Sequence, residues 1–448
     1  MQLKKKFNLS YPKLSVLGFF LIIIIGAILL SLPISSRDGE FIPFINALFT
    51  SASATCVTGL VVYDTYSHFS VFGQIVILAL IQVGGLGFMI IATMFLLALR
   101  KKIGIKERGF LKESVNSVHI GGVVRLTKHI LIGTFLMEGI GAIILSIKFS
   151  YEMGMAAGIY NGVFHSVSAF CNAGFDLMGR YSKYSSLTRY SNDTLINLVI
   201  MFLIVIGGIG FIVWEDIYKH KYKFKKYQLH SKIVLCTTFL LIVCSVIIFY
   251  FMEMNNVLED VGIKERALSS LFQVITPRTA GFNTVDIASL SEGSKLLTMI
   301  LMIIGGSSGS TAGGIKTTTF VVSILSVVSL IRQSEDLNIF GRRLERGVLK
   351  QSSSIITIYL SVALLAMLFI SFNQPELDLR DIVFEVFSAI GTVGMSTGIT
   401  SSLDIASKMM IIVLMFCGRI GSLAVIMAIS NHTNTVLTKS PVEKITIG

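Results

Sequence analysis

The stretch NALFTSASATCVTGL, residues 46–60, is apolar and ends in a glycine loop, yet it is too short to cross a bilayer. A spanning helix needs about 20 apolar residues, and a run of 10–14 is typical of a re-entrant segment. Three later stretches share its features: NGVFHSVSAFCNAGF (161–175), SSLFQVITPRTAGF (269–282) and EVFSAIGTVGMSTGI (385–399). Each has a Phe nine to eleven residues before a glycine. These glycines are Gly59, Gly174, Gly281 and Gly398, and their spacings of 115, 107 and 117 residues indicate internal duplication.

Long apolar segments enclose the four short stretches in pairs. They lie near residues 14–34, 73–99, 129–149, 193–214, 233–252, 296–331, 354–372 and 407–430. The repeating unit is therefore span, re-entrant helix, glycine loop, span. Non-helical backbone at membrane depth is tolerated only where it is buried in protein or lines a watery cavity. We expect an all-α polytopic membrane protein with eight transmembrane helices and four re-entrant pore helices around a central, pseudo-fourfold pore.

The repeats predict four units along the chain. They are residues 1–100 with the pore loop 46–60, 101–220 with a cytosolic loop and the pore loop 161–175, 221–331 with the pore loop 269–282 and an intramembrane segment 305–318, and 332–448 with the pore loop 385–399 and the carboxyl-terminal tail.

Composition agrees with a membrane protein. The 448 residues are 53% hydrophobic and only 14% charged, and the mean hydropathy is +0.76. The five cysteines show no paired spacing, so neither a disulfide framework nor a metal site is expected. The first apolar run is too long for the core of a signal peptide, which favours a first transmembrane helix.

The net charge of +12 comes from short basic clusters between apolar segments, which is typical of topology signals and argues against a nucleic-acid partner. With the amino terminus inside, 25 of the 38 Lys and Arg residues fall on the inner side. They include Lys4, Lys5 and Lys6, the basic loops 100–128 and 219–232, and Lys439 and Lys444 in the tail. This bias predicts a cytoplasmic-membrane protein with both termini in the cytoplasm and the glycine loops facing outward.

The glycine loops suit a cation filter. Backbone carbonyls aimed at one axis can replace the hydration shell of a monovalent cation, and glycine adopts the dihedrals that this requires. The re-entrant helices would point their negative ends at the pore. The predicted filter residues are Val57, Thr58, Gly59, Asn172, Ala173, Gly174, Thr279, Ala280, Gly281, Ser396, Thr397 and Gly398.

An aspartate follows each predicted filter glycine. These residues are Asp64, Asp176, Asp286 and Asp404. Four carboxylates around an outer mouth would concentrate cations. Solvated loop aspartates or helix caps are an equally good interpretation.

The second span of each unit contains paired glycines, with anchors at Gly84, Gly207, Gly305 and Gly418. As one helix, residues 296–331 would be roughly 54 Å long, against a hydrocarbon core of about 30 Å. We expect a break at GGSSGSTAGGIKTT (305–318) that obstructs the cavity below the filter as a gate. The expected gate residues are Gly305, Gly306, Ser307, Ser308, Gly309, Ser310, Thr311, Ala312, Gly313, Gly314 and Lys316, together with Arg419.

Two cations accompany this break. Lys316 would face the lower vestibule or extend to the cytoplasmic edge. A charge at the depth of Arg419 costs several kcal/mol unless it has a partner. The freed carbonyls of the segment 305–318 are the expected partner, and a lateral contact with other helices is the alternative.

Other function classes fit less well. GSTAGGIKT (309–317) is similar to a nucleotide-binding loop with one inserted residue, but membrane segments flank it on both sides. His165 lies near Ser166 and Ser168 without an orienting carboxylate in its repeat, which argues against an intramembrane hydrolase. A secondary transporter would show two inverted halves, whereas these four repeats run in the same direction. An ion-coupled carrier stays open as an alternative mechanism.

The motifs VITPRTAGFN (274–283), QVGGLGF (82–88) and AIGTVGMSTG (389–398) resemble the Ktr/Trk/HKT superfamily of potassium transporters, most closely the bacterial Ktr membrane subunit of the KtrB or KtrD type. The resemblance covers nearly the whole chain. It implies potassium selectivity from the loop glycines, a homodimer with one pore per subunit, and possible stimulation by sodium. It also implies a cytosolic ring of KtrA-type RCK subunits that binds ATP and ADP. No cofactor is expected in this subunit itself, whose partners would be that ring and membrane lipid.

Overall fold

A computed structural model describes residues 11–99, 103–114, 121–334, 337–345 and 347–421, together with residues 425 and 443. The described chain is almost wholly helical, apart from a short antiparallel hairpin of Asn338–Ile339 and Arg342–Arg343. The basic residues Lys4, Lys5, Lys6, Lys439 and Lys444, parts of the loop 100–128 and most of the last apolar segment beyond residue 421 lie outside the described residues.

The helices are grouped below by the four units that the sequence predicts. The first contains α1 (Tyr11–Ser31), α2 (Phe44–Thr55), α3 (Thr65–His68), α4 (Val71–Leu86) and α5 (Phe88–Ala98). The second contains α6 (Ile105–Ser114), α7 (Val123–Met153), α8 (Met155–Phe170), α9 (Thr194–Gly208) and α10 (Phe211–His220). The third contains α11 (Leu229–Glu253), α12 (Ile263–Ile275), α13 (Glu292–Ile303) and α14 (Thr317–Ile331), and the fourth α15 (Gly347–Asn373), α16 (Leu379–Gly391) and α17 (Ile405–Ile420). Short 3-10 turns occur at Pro33–Ser35, Met178–Arg180, Thr188–Tyr190, Phe224–Lys226 and Ile399–Ser402.

Among the described residues, four helices are long and apolar enough to cross a membrane: α1, α7, α11 and α15. The pair α9 and α10 forms a fifth candidate that is bent by 97°. The other expected second spans, α4, α13, α14 and α17, are 12–16 residues long, below the about 20 that one spanning helix needs. The count of eight spans therefore stays a prediction.

Glycines account for the breaks in these second spans. Gly87 (φ +85°) separates α4 from α5, and Gly210 (φ +95°) separates α9 from α10. A left-handed backbone of this kind favours glycine and ends a helix. The predicted break at 305–318 is present and separates α13 from α14. The paired glycines of the sequence thus mark interruptions in the second spans.

The four short helices α2, α8, α12 and α16 lie in the interior. Each buries at least one phenylalanine almost completely: Phe49, Phe164 with Phe170, Phe272 and Phe384. Burying a side chain of this size stabilises the fold by about 1.5–3 kcal/mol. The apolar clusters around the short helices join neighbouring units, so the core surrounds the centre of the molecule. The longer helices carry exposed apolar side chains, including Phe20 at 52% and Leu365 at 66%.

Candidate functional site

A ring of four glycines occupies the centre, where the short helices α2, α8, α12 and α16 end. The ring consists of Gly59, Gly174, Gly281 and Gly394. A Cβ atom on Gly59 would lie 3.2 Å from the Cα of Gly174, and one on Gly174 would lie 3.0 Å from the Cα of Gly281. A Cβ atom on Gly281 would lie 3.3 Å from the Cα of Gly394, and one on Gly394 would lie 2.8 Å from the Cα of Gly59. The four glycine loops therefore meet in a closed cycle.

The fourth ring position corrects the sequence prediction. Gly394 lies in the ring, and the predicted Gly398 has no atom within 4 Å of where its Cβ would be. Ser396, Thr397 and Gly398 lie in the wall of a cavity outside the ring. This stretch contains two candidate glycines, in TVG (392–394) and in STG (396–398). The sequence prediction selects Gly398 because that glycine follows Thr and precedes an apolar residue, whereas Gly394 follows Val. The fourth ring segment is Thr392, Val393 and Gly394.

The ring glycines share one backbone conformation, with φ of +93°, +70°, +83° and +92° for Gly59, Gly174, Gly281 and Gly394. The residue two positions before each of them is also left-handed, and these residues are Val57 (φ +56°), Asn172 (+60°), Thr279 (+79°) and Thr392 (+52°). For a β-branched side chain this region is a genuine outlier that costs about 1–3 kcal/mol. The surrounding core holds the same strained turn in all four units.

Hydroxyl residues near the ends of the short helices support these turns. The N–H of Thr58 donates to the Ser53 carbonyl, and the N–H of Val393 donates to the Ser388 carbonyl, both at 2.8 Å. The Ser53 and Ser388 hydroxyls also accept from the ring N–H groups of Gly59 and Gly394 at 3.1 Å. In the other two units, the backbone carbonyls of Ser168 and Thr276 accept from the N–H groups of Ala173 and Ala280.

Four carbonyl oxygens converge between the units. They belong to Thr58, Ala173, Ala280 and Val393, and each lies beside the ring glycine of a neighbouring unit. The Ala173 oxygen, for example, would be 2.5 Å from a Cβ on Gly59. No donor among the described residues bonds to these four oxygens. Such a set of free backbone acceptors can coordinate a dehydrated cation.

A cavity of about 250 Å³, which we call the outer cavity, borders the ring, and Asp64, Asp176 and Asp286 are in its wall. Asp64 also accepts hydrogen bonds from the backbone N–H groups of Ser67 at 2.7 Å and Tyr184 at 3.1 Å. Asp64 therefore both lines the cavity and caps a helix. Burial, with a smaller contribution from the charge of Asp64, raises the pKa of the Asp176 carboxyl to about 7.

Asp404 is a correction to the expected outer mouth. It lies outside that cavity. Its carboxylate caps α17 by accepting from the Ser407 N–H at 2.8 Å and also accepts from the Asn373 amide at 2.5 Å. A helix cap satisfies backbone N–H groups that otherwise lack a partner, which explains why this loop carries an aspartate.

The segment 305–318 passes beneath the ring. The Thr311 hydroxyl donates to the carbonyl of Phe170 at 3.2 Å, at the end of α8, and the Thr311 N–H donates to the Gly207 carbonyl at 3.2 Å. Two residues later, a Cβ on Gly313 would collide with the side chain of Thr392 at the end of α16. The second and fourth units are opposite each other in the ring, so this segment crosses below its centre.

Internal hydrogen bonds shape this segment. Gly305 donates to the Ile315 carbonyl at 2.9 Å, and the Ser310 hydroxyl donates to the Ser307 carbonyl at 2.7 Å. The Lys316 ammonium donates to the Ala312 carbonyl at 2.6 Å. Lys316 therefore closes the turn of its own segment, and its ammonium also lies 3.4 Å from the carbonyl oxygen of Gly313.

Arg419 contacts this segment, as the sequence predicts. Its guanidinium donates to the Thr311 carbonyl and also to the carbonyls of Gly84 at 2.5 Å and Gly85 at 2.8 Å. The partners Gly84 and Gly85 come from the second span of the first unit. The rigid fork of arginine donors suits several carbonyls at once.

Three of the predicted anchor glycines lie where the backbone of a short helix leaves no room for a Cβ atom. A Cβ on Gly84, Gly207 or Gly418 would collide with the carbonyl of Thr55, Phe170 or Ile390, respectively. Each second span therefore lies directly against the last turn of the short helix of its own unit. Gly305 differs, because it packs on Gly313 within the segment 305–318.

Residues 13–436 match the family of cation transport proteins named TrkH. The chain belongs to the TrkH family. Within it, the chain is 43% identical to the Ktr system potassium uptake protein B of Bacillus subtilis (strain 168), over 92% of this chain and 91% of the relative. It is 39% identical to the potassium/sodium uptake protein NtpJ of Enterococcus hirae, over 100% of this chain and 99% of the relative. This TrkH family protein, with its long apolar helices, is a multi-pass membrane protein.

Its fold is that of a solved family structure. The crystal structure of the potassium transporter TrkH from Vibrio parahaemolyticus aligns with a TM-score of 0.75 at 18% identity, covering 96% of this chain and 87% of that one.

One side chain near the ring of this TrkH family protein escapes the sequence analysis. The carboxylate of Glu385, in α16, is 1% exposed and accepts from the hydroxyl of Ser396 at 2.8 Å and from that of Thr400. It therefore holds the turn that follows the fourth ring segment. An acidic residue in the middle of α16, one turn after Asp381 and nine residues before Gly394, is the signal that could have identified it.

Proposed function

We propose that this protein takes up potassium ions across the cytoplasmic membrane through a gated pore whose selectivity filter is the glycine ring. The observation that carries this proposal is the convergence of four free carbonyl oxygens, one from each unit, beside Gly59, Gly174, Gly281 and Gly394. The relative with 43% identity is named a potassium uptake protein.

The filter exchanges water for backbone oxygen. A potassium ion that enters the ring loses its hydration shell, and carbonyls from all four units replace it. The filter comprises the segments Val57–Thr58–Gly59, Asn172–Ala173–Gly174, Thr279–Ala280–Gly281 and Thr392–Val393–Gly394. The carboxyl ends of α2, α8, α12 and α16 meet there, and their dipoles favour a cation. The strained turns keep the oxygens in place when no ion is present.

The outer cavity concentrates the ion before it enters the filter. Asp64, Asp176 and Asp286 place negative charge in its wall. Carboxylates in a cleft focus the field and raise the local cation concentration. The residues Ser396, Thr397 and Gly398 belong to this outer cavity.

The segment 305–318 serves as the gate. It crosses below the ring, and the carbonyls of Thr311 and Ala312 receive hydrogen bonds from the cationic side chains of Arg419 and Lys316. These carbonyls are therefore occupied, and the two positive charges oppose a potassium ion that leaves the filter. Conduction requires the segment to move aside, and its glycines permit such a change.

The proposed architecture consists of four units of span, re-entrant helix and span, with α4–α5, α9–α10, α13–α14 and α17 as interrupted second spans. In this proposal both termini lie in the cytoplasm, which the distribution of the basic clusters supports. The four units are residues 1–100, 101–220, 221–331 and 332–448.

A regulatory partner controls the gate in this proposal. The relatives named Ktr system proteins B and D belong by name to a multi-component system. We assign to this chain the role of a homodimeric membrane subunit beneath which a KtrA-type RCK ring docks. ATP and ADP would bind to that ring, and the basic loops 100–128 and 219–232 would form the docking surface.

A second candidate is uptake of potassium coupled to sodium, because the relative with 39% identity is named a potassium/sodium uptake protein. The two mechanisms differ in what drives the flux. A pore passes potassium down its own gradient, whereas a coupled carrier requires the second gradient.

Flux of rubidium and sodium into liposomes that contain the purified chain tests the proposal, with and without an imposed sodium gradient. A pore predicts downhill rubidium flux without sodium and much slower sodium flux. Strict dependence of rubidium flux on a sodium gradient would contradict the pore and favour the coupled carrier. Equal rates of rubidium and sodium flux would contradict the proposal that the ring is a potassium-selective filter.

A further inference from the structure

An apolar groove lies on the flank of the protein, between α7 and the bent pair α9–α10. Its volume is about 550 Å³. Its wall includes Leu126, Gly133, Met137, Ile209, Trp214 and Tyr218, and we call it the lateral groove. It is separate from the ring and from the outer cavity, and the proposed conduction path does not use it.

The lateral groove has the length of one bilayer leaflet. Along α7 it extends from Leu126 to Met137, which is about 16 Å at 1.5 Å per residue. Half of a hydrocarbon core is about 15 Å. The side chain of Ile132 in its wall is 67% exposed and that of Tyr218 is 79% exposed, so the groove opens sideways.

Trp214 forms a fixed part of the wall. Its indole N–H donates to the Ile206 carbonyl at 3.0 Å, and its ring packs edge-to-face on Phe170 and Phe211. A Cβ on Gly133 would lie 2.9 Å from the indole, so this glycine leaves the space that the indole ring fills. The Trp214 indole is therefore held in one position in the wall of the groove.

One end of the groove is basic. Arg125 and Lys128 are exposed on α7, one turn before His129 and Ile132 in the groove wall. No carboxylate in the described ranges forms an ion pair with Arg125 or Lys128, whereas Glu215 in the wall is paired with Lys219. An apolar channel with unpaired positive charge at its mouth matches an acyl chain attached to an anionic headgroup.

We propose that the lateral groove binds an anionic phospholipid, with an acyl chain along Trp214 and the phosphate headgroup at Arg125 and Lys128. The length, the sideways opening and the basic end all favour this occupant.

The bound lipid would touch the gate region. Phe211 lines the groove, and its N–H donates to the Gly309 carbonyl of the segment 305–318 at 2.8 Å. The neighbouring Gly208 carbonyl accepts from the Ser307 N–H at 2.9 Å. An acyl chain would therefore fix the bend that supports the segment. This consequence rests on the proposed role of the segment as a gate, whereas lipid binding itself does not.

Trp214 is the only tryptophan in the chain, so its fluorescence reports on the groove directly. The full chain is reconstituted in vesicles that contain dibrominated phosphatidylglycerol or dibrominated phosphatidylcholine, and bromine quenches the indole on contact. We expect phosphatidylglycerol to quench at several-fold lower mole fraction than phosphatidylcholine. Equal quenching by both lipids would overturn the anionic preference. Absence of quenching by either lipid would overturn lipid binding in the groove and would indicate that a second copy of this chain covers it.

Variants sharpen this measurement. Arg125→Gln with Lys128→Gln should reduce the preference for phosphatidylglycerol at least about fivefold, since one basic residue near an anionic surface contributes about 1 kcal/mol. The control Lys350→Gln, which is exposed on α15, should leave it unchanged. Gly133→Leu should reduce quenching by both lipids, measured against vesicles without bromine, whereas Gly139→Leu on the same helix should not. An unchanged preference in the double variant contradicts the proposal. Because quenching requires no ion flux, its outcome is independent of the proposed filter and gate.

Discussion

The guanidinium of Arg419 donates a hydrogen bond to the backbone carbonyl of Thr311, 108 residues earlier in the chain. Thr311 in turn bonds to Phe170 and Gly207, and Arg419 bonds to Gly84 and Gly85. One residue of the segment 305–318 is thus linked to the other three units. Arg419 is the side chain that joins the segment 305–318 to both the first and the fourth unit.

Replacing Arg419 should release the proposed gate. Arg419→Ala removes three charge-assisted hydrogen bonds, and each such bond stabilises by about 1.5–3 kcal/mol. A loss of only about 1.4 kcal/mol shifts an open–closed equilibrium tenfold. We expect basal rubidium flux in liposomes to rise roughly tenfold, and Arg419→Lys to restore the closed state only in part. The exposed Arg380 provides the control Arg380→Ala, which should not change the flux. Wild-type flux in Arg419→Ala would contradict the proposed gate.

Gly394 and Gly398 offer a matched pair of substitutions four residues apart. Both have positive φ, but only a side chain on Gly394 would collide with the ring, at Thr58 and Gly59. Gly394→Ser should therefore lower the ratio of rubidium to sodium flux roughly tenfold, which is the effect of about 1.4 kcal/mol of altered coordination. Gly398→Ser should keep most of the selectivity, and Gly59→Ser should behave like Gly394→Ser. If Gly398→Ser loses more selectivity than Gly394→Ser, the result would support the sequence prediction that Gly398 belongs to the filter.

Sequence reasoning located three ring segments and misplaced the fourth for an identifiable reason. The Thr–Gly pattern is local, whereas the ring position depends on distance from buried side chains. Phe384 and Ser388 lie ten and six residues before Gly394, as Phe49 and Ser53 do before Gly59. These spacings follow from the length of the short helix and would have identified Gly394.

The contact of Arg419 with the segment 305–318 was predictable, because a buried cation needs acceptors and a broken helix supplies them. Its sharing with Gly84 and Gly85 was not predictable, since it depends on how units distant in sequence pack. The same holds for Lys316, whose ammonium folds back on Ala312. The positions of the aspartates also depend on packing, since Asp404 resembles the others in sequence but caps a helix outside the outer cavity.

Asp176 should make cation capture depend on pH. Burial raises the pKa of its carboxyl to about 7, so the group is neutral below that pH and charged above it. The apparent affinity for rubidium should increase as the external pH rises from about 6 to about 8. Asp176→Asn should flatten this dependence and resemble the wild type at low pH. Asp404→Asn, outside the cavity, should keep the full dependence. A slope that survives in Asp176→Asn would assign the titration to another group.

Glu385 should control the filter through the turn behind it. Its buried carboxylate accepts from the hydroxyls of Ser396 and Thr400, and Glu385→Ala would leave these without an acceptor at a cost of about 1–3 kcal/mol. We expect Glu385→Ala to lower the ratio of rubidium to sodium flux several-fold in liposomes, because the turn is continuous with Gly394. Glu385→Gln keeps one amide oxygen as an acceptor and should lose less selectivity. Asp381→Ala, one turn earlier on α16, is the control for general damage to this helix. If Glu385→Ala lowers the flux of both ions equally and leaves their ratio unchanged, Glu385 supports folding alone.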